Sequence, residues 1–228
     1  MDEMTEVGHD IDRMCAYWIA RKLDWRSKAS EEFERLVCPQ AFFELNPGRA
    51  RLDAVNLCFT EWVLFERPLR QGRTPLQLYV DYAPDGVDTA TVARLRQVEQ
   101  TQFFSRFAIL SKDGESGMAR LRDVRTGRVY EVLDPHLCAN GRWRDGTIAE
   151  RLACVEGVWQ VVGRARLYDR ATPEQTAHDG PGEAHPEDRG DPYLRDASYF
   201  VRLVRDVMGL GGRYAPSLAA YVEGRLVG

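Results

Sequence analysis

The strongest constraint on the fold is a change of hydrophobic period partway along the chain. Up to about residue 102, apolar side chains recur at helical spacings of three and four. From Phe103 onward they alternate along short runs broken by turn residues. A chain that changes period in this way keeps its helices and its sheet in separate stretches, which is the pattern of an α+β fold.

Within the helical stretch, Asp10 is placed to cap a helix with the stripe Ile11, Met14, Cys15, Trp18 and Trp25. Ser30 is placed to cap a second helix carrying Phe33, Leu36 and Val37, which Pro39 ends. After the turn signal Asn46-Pro47-Gly48 comes the most apolar helix, in which Val55, Leu57, Cys58, Phe59, Trp62, Val63, Leu64 and Phe65 leave almost no polar face. Such a helix belongs at the centre of the molecule, and Pro68 stops it. Thr74-Pro75 reads as a cap followed by proline at the first helical position. Asp88 caps a further helix with Val92, Leu95 and Val98 inward.

In the alternating stretch, Phe107–Leu110 reads as a strand, and Met118–Val124 with Arg128–Asp134 as a hairpin around Thr126-Gly127. A two-residue loop would set Leu121 opposite Val132 and Arg122 opposite Glu131, with Asp123 facing inward beside Tyr130. A longer turn lets the Asp123 carboxylate bond turn amides, and this second reading is preferred. Thr147–Val155 and Val158–Leu167 flank Glu156-Gly157. That register puts Ile148, Leu152, Cys154, Trp159 and Val161 on one face, with Arg151 and Arg164 pointing away. These short strands predict a small, strongly curled antiparallel sheet or an SH3-like barrel. It is too small to stand alone and is expected to rest on the Phe59–Phe65 helix.

Residues 171–190 hold three prolines, three glycines and no apolar residue larger than alanine, so they read as a flexible linker. Asp191-Pro192 then starts a helix with the stripe Leu194, Ala197, Val201, Val204 and Met208, which Gly209 ends. A last helix is expected near Pro216–Arg225. The division is therefore a helical region (1–102), a β region packed on it (103–170), a linker (171–190) and a C-terminal helical tail (191–228).

Composition narrows the function classes. The 228 residues carry 31 basic and 35 acidic side chains, a net charge of −4, which does not describe a polyanion coat. No apolar run approaches the roughly 18 residues of a membrane span, and Met1-Asp2-Glu3-Met4 lacks the order of a secretion signal, so a cytoplasmic protein with no membrane role is expected. The five cysteines are odd in number and widely spaced, as buried thiols would be.

Motif by motif, chemistry is sparse. His136 and Cys138 with Cys154 match no zinc spacing, and no metal or cofactor is called. Counting a calcium loop from Asp81 puts Ala83 and Val92 where oxygen ligands belong. Glu61 and Glu66 flank the apolar helix, and Glu61 paired with an arginine is the preferred reading. Gly209-Leu210-Gly211-Gly212 lacks the lysine and preceding strand of a phosphate loop and reads as a helix–helix turn. Arg120, Arg122, Arg125 and Arg128 surround one hairpin, and Arg142 and Arg144 flank Trp143. Arginine beside an exposed aromatic is suited to stacking and phosphate contact. Interleaved Asp123, Glu131, Asp134 and Asp145 favour a self-paired face instead.

The run Phe59-x-Glu61-Trp62-x-Leu64-Phe65-Glu66-Arg67, then Gly72-x-Thr74-Pro75-Leu76, resembles a stretch of uncharacterised bacterial proteins often associated with a SEC-C metal-binding motif. The likeness extends through Leu121-Arg122-Asp123-x-x-Thr126-Gly127-x-x-Tyr130-x-Val132, Gly146-x-x-x-x-Glu150-Arg151-Leu152 and Gly157-x-Trp159, over roughly residues 55–163. The SEC-C motif itself is missing from this chain, so the resemblance implies no metal and no catalytic residue.

Three functions follow as expectations. The first is a non-catalytic protein-binding or adaptor module, meeting a protein partner or a second copy of itself through the 194–208 apolar stripe. The second is an accessory nucleic-acid binder using the hairpin and loop arginines. The third is an enzyme with an unrecognised cleft between helices and sheet, whose sign would be a polar pocket gathering groups such as Asp123, Glu61 and His136. With no catalytic motif recognised, the expectation leans away from an enzyme.

Overall fold

The computed structural model describes residues 5–22, 25–170, 172 and 190–210, and the backbone of 221–222 and 225–226. The expected linker lies outside the described residues except at Thr172 and Gly190.

Five helices come first: α1 (Glu6–Ala20), α2 (Arg26–Val37), α3 (Arg49–Phe65), α4 (Pro75–Asp81) and α5 (Thr89–Thr101). Helix α1 starts one turn earlier than its apolar stripe suggests, because the Thr5 hydroxyl caps it by accepting from the Gly8 amide at 3.1 Å. Asp10 is not a cap. It is buried, accepts from the Thr91 hydroxyl at 2.9 Å and pairs with Arg94 Nε at 2.7 Å, pinning α1 to α5. Ser30 does not cap α2 either, since that helix begins at Arg26 after Trp25 and ends where Cys38 turns left-handed. The expected caps at Thr74 and Asp88 are present. Thr74 and Gln77 form a reciprocal capping box, and Asp88 accepts from the Thr91 amide at 2.7 Å.

A mixed six-stranded sheet follows: β1 (Phe103–Lys112), β2 (Met118–Asp123), β3 (Val129–Leu133), β4 (Thr147–Val155), β5 (Val158–Val161) and β6 (Leu167–Asp169), with the short α6 (Pro135–Ala139) between β3 and β4. Neighbouring strands run β1-β2-β3-β5-β4, and β4 pairs back onto β1, so the sheet curls until it meets itself. It is not wholly antiparallel. The closing pair, β3 with β5, is parallel, matching Val132 to Trp159 and Leu133 to Gln160. A β3-to-β5 contact lies outside hairpin reasoning, because α6 and β4 intervene in the chain.

The β2–β3 hairpin takes the longer turn. Tyr130 stands opposite Leu121, and Glu131 opposite Arg120 rather than Arg122. Asp123 Oδ1 accepts from the amides of Arg125 at 2.8 Å and Thr126 at 3.2 Å. The β4–β5 turn is the tight one expected, with Val155 opposite Val158 and positive φ at Glu156 (54°) and Gly157 (81°).

Three apolar clusters hold these layers together. Phe107, Leu121, Tyr130, Val132, Ile148, Leu152 and Trp143 fill the inside of the curl. The outer face of β1 and β4 is covered by α3, with Val55, Cys58, Trp62 and Val63 meeting Phe104 and Ala149. Helices α1, α4 and α5 pack on Ala153 and Val155 beside it. Full burial of each large side chain contributes roughly 1.5–3 kcal/mol, and the apolar α3 contributes to two of the three clusters.

The tail departs from a single helix at 191–208. Asp191-Pro192 starts only a short turn, α7 (Pro192–Arg195), and Ser198 caps a new helix, α8 (Tyr199–Met208), by accepting from the Val201 amide at 3.2 Å. Gly209 bridges to Pro39, joining the tail to the end of α2, and the second half of the expected helix–helix turn, 211–212, lies outside the described residues. The helix expected near Pro216–Arg225 lies mostly outside the described residues. Within it, Tyr221–Val222 pairs antiparallel with Arg225–Leu226.

Candidate functional site

The two expected interaction surfaces are arranged differently from the sequence reading. Of the 194–208 stripe, Ala197, Val201 and Val204 are buried with Phe200 and Leu203 in the cluster that contains α2 and α3. These residues of the stripe therefore belong to the core, while Leu194 and Met208 are only partly buried. Trp143, expected as an exposed stacking platform, has 0% exposure and lies 5.8 Å from the Tyr168 ring, stacked on it. The arginines do not gather either. Arg142 and Arg144 follow α6, whose last carbonyls bind Lys112, opposite the start of β2; Arg125 and Arg128 lie in and after the turn at the other end of that strand. Arg120 is matched to Glu131 at 3.3 Å, Arg144 Nε donates to the Gly141 carbonyl at 2.9 Å, and Arg122 is half-buried. Arg125 covers the Tyr199 ring at 4.3 Å and Arg128 the Tyr130 ring at 4.9 Å.

Two buried ionic clusters flank the sheet. On its outer face Arg151, 2% exposed, donates from Nε to Glu61 Oε1 (3.1 Å), from Nη2 to Glu66 Oε1 (2.6 Å) and from Nη1 to Gln102 Oε1 (2.5 Å). Glu61 Oε2 accepts the amides of Arg164 (2.8 Å) and Ala165 (2.6 Å), and Ser198 donates to Glu66 Oε2 at 2.5 Å. Burial works against the charge of Arg151, but Glu66 and Glu61 outweigh it and raise its pKa. Burial likewise raises the Glu61 carboxyl, against the pull of Arg151 and the two amides. This cluster ties α3, β4, the segment after β5 and the cap of α8 together. It confirms the expected Glu61–arginine pair, on the outer face of the sheet.

A Cβ at Gly163 would stand 2.7 Å from Glu61 Oε1 and 2.8 Å from Arg151 Cβ. Gly163→Ala is therefore expected to cost about 1–3 kcal/mol, the range for overpacking a tight interior, read as a lower denaturation midpoint.

The second cluster adjoins a cleft of about 340 Å³ between the start of α1 and the end of the sheet where β3 and β5 both finish. Thr5, Gly8, Ile11 and Asp12 form one wall. Leu133 to His136 and Val161 to Arg166, Ala165 excepted, form the other. Asp134 caps α6, accepting the Leu137 amide at 3.0 Å, and Pro135 fixes the first helical position. Arg166 Nη1 reaches both Asp134 oxygens, at 2.8 and 3.0 Å, and Arg164 pairs with Asp12 across the cleft. His136 lies 5.4 Å from Trp143, ring to ring.

Behind Asp134 stands Glu150. It projects into the curl between Ile148 and Leu152, is 0% exposed, and faces Ser105 across the β1–β4 ladder. Neither of its oxygens receives a hydrogen bond from a nitrogen or hydroxyl donor. Burial first, then the neighbouring Asp134, raises its pKa well above the ordinary value, while Arg166 pulls the other way. Glu150 is thus a buried carboxyl set against a second carboxylate, an environment that favours its protonated form.

Of the groups expected in a polar pocket, only His136 lines this cleft; Asp123 serves the hairpin turn and Glu61 the outer cluster. Asp134, Glu150 and Arg166 were missed, although Asp134-Pro135 has the same cap-plus-proline form as Asp191-Pro192. The chain matches no protein-family model, no curated protein and no solved structure, so the chemistry of this site carries the functional reading.

Proposed function

We propose that the protein binds a small polar ligand in the cleft between α1 and the end of the curled sheet, with Arg166, Arg164, Asp12, Asp134 and His136 as its polar contacts. The observation that carries this reading is the Asp134–Glu150 carboxyl pair. Two carboxyls buried side by side, Glu150 at 0% and Asp134 at 1% exposure, are costly to maintain, and such groups concentrate where ligands are handled. The volume of about 340 Å³ suits a ligand the size of a small metabolite rather than a nucleotide chain or a peptide segment. Apolar Ile11, Leu133, Val161 and Val162 would cover its non-polar surface. Of the groups expected in an enzyme cleft only His136 is here, and Asp134 with Glu150 behind it would supply an acid–base pair if the bound ligand is also transformed.

The test uses His136, one of only four histidines in the chain. Its ring signals, assigned with the H136Q variant, are followed by NMR while neutral, cationic and anionic fragments are added. At least one fragment is expected to shift the His136 signals in a saturable way. Fragments at millimolar concentration that leave them all unmoved would remove the proposal.

A further inference from the structure

The same two carboxyls specify what kind of ligand the cleft takes. Asp134 is fully engaged by the guanidinium of Arg166 and the Leu137 amide. Glu150, with no such donor, rests against it. Four charged or titratable groups from other elements bear on this pair: Arg166 ahead of β6, Lys112 at the end of β1, Cys138 from α6 and Glu61 from α3. Lys112 is committed elsewhere, its Nζ held by the Leu137 carbonyl at 2.9 Å and the Asn140 carbonyl at 2.7 Å. Arg166 is therefore the cation in contact with the pair. It also lines the cleft, so a ligand entering from solvent can reach it.

Resting on the small-ligand reading, we infer that the cleft binds a small organic oxyanion by exchanging partners. The anion takes the Arg166 guanidinium from Asp134, and the released Asp134 carboxylate is neutralised by one proton from solvent. Two facts drive this. A guanidinium fork fits any planar or tetrahedral oxyanion as well as it fits an aspartate. Asp134, 1% exposed, would otherwise be left as an unpaired buried charge beside a second carboxyl, which is the most expensive arrangement available. Arg164, on the same wall and already facing Asp12, is placed to meet a second oxygen of the ligand. The charge balance closes on the guanidinium: the positive charge that Asp134 gives up to one anionic oxygen is replaced by one proton, and the second charge of a dianion falls to Arg164, whose partner Asp12 is solvent-accessible and stays ionised without it.

The probes are oxalate and sulfate, whose charges stay constant between about pH 6 and 8. Calorimetric titration of the full chain in two buffers of different ionisation enthalpy counts the protons. Uptake of about one proton per anion is expected, with affinity weakening about tenfold for each pH unit of increase. Preference for oxalate over sulfate would mark the ligand as a carboxylate, and the reverse would mark it as a phosphate or sulfate ester. The D134N variant removes the competing carboxylate, so it is expected to bind the anion about tenfold or more tightly and to lose the pH slope. If D134N does not fold, the wild-type proton count decides alone. Binding with no proton uptake overturns the exchange. Neutral or cationic fragments moving His136 while neither anion binds overturns the oxyanion assignment and leaves the small-ligand reading standing; no fragment or anion moving it removes both.

Discussion

Replacing Arg151 with methionine is expected to lower stability by about 3–5 kcal/mol, the cost of removing one partner from a buried ion pair. The reason lies in what the substitution leaves behind. Glu61, 2% exposed, keeps two backbone amides but loses its counter-ion, and Glu66 keeps only the Ser198 hydroxyl. The guanidinium also packs among Phe65, Phe104 and Phe200, with its carbon 4.8, 5.6 and 5.5 Å from their ring centres. A methionine fills that aromatic cage, so the loss reports charge and hydrogen bonding rather than an empty cavity. Denaturant titration at an unchanged slope is the measurement.

Adding Glu61→Gln to the same variant should cost less than the two single losses combined, by a coupling of about 0.5–3 kcal/mol, because the stranded carboxylate is gone. Additive losses, or a wild-type midpoint for R151M, would show that the cluster is not a single unit. The cluster matters for function through position. Glu61 holds the amides of Arg164 and Ala165, and so fixes the segment between β5 and β6 from which Arg164 and Arg166 enter the cleft.

What could be read in the sequence follows the range of each interaction. The change of period near Phe103, the apolar α3, the caps at Thr74 and Asp88 and the Glu156-Gly157 turn are decided within a few residues, and all are present. The caps that failed show the competing force. Asp10 has a capping side chain, yet Thr91 and Arg94, more than eighty residues away in sequence, bind it instead. The parallel β3–β5 pair was invisible for the same reason, since no local pattern announces which strands meet after an intervening helix and strand.

The site was more legible than it was read. The alternation that put Ile148, Leu152 and Cys154 on one face also puts Glu150 there, as a lone acid in an apolar row. A charge at a core-facing strand position is the signal that reasoning from spacing can find. Trp143 failed in the opposite way. Arg142 and Arg144 on either side made it look exposed, but loop residues have no period, and the ring turns inward onto Tyr168. The 194–208 stripe was recognised correctly as apolar. Whether such a stripe meets another molecule or its own chain depends on α2 and α3, which no property of the stripe itself reveals.

Raising the pH above the ordinary glutamate value is expected to weaken the wild-type fold, and Glu150→Gln should abolish the Glu150 part of the loss. The sign follows from the proton count. Glu150 has a folded pKa raised above the ordinary 4.5, so above that value the native state keeps a proton that the unfolded chain has released. Stability then falls as pH rises, by about 1.4 kcal/mol per pH unit, from the ordinary glutamate value up to the folded pKa. A glutamine at this position keeps the shape, can donate an amide hydrogen to Asp134 and cannot ionise, so the Glu150 share of the slope disappears; Glu61, whose pKa burial also raises, keeps its own share in both proteins. Asp88 and Asp113, whose pKa values are lowered chiefly by hydrogen bonds from Thr91 and from Ser116, act with the opposite sign and only below 3.8. They therefore leave the window untouched. Denaturation midpoints of wild type and E150Q, followed from about pH 5 upward, should diverge until the folded Glu150 pKa is passed, with the variant gaining relative to wild type as the pH rises. Parallel curves would mean that Glu150 is ionised in the folded protein, and the shared proton on which the cleft chemistry depends would not be there.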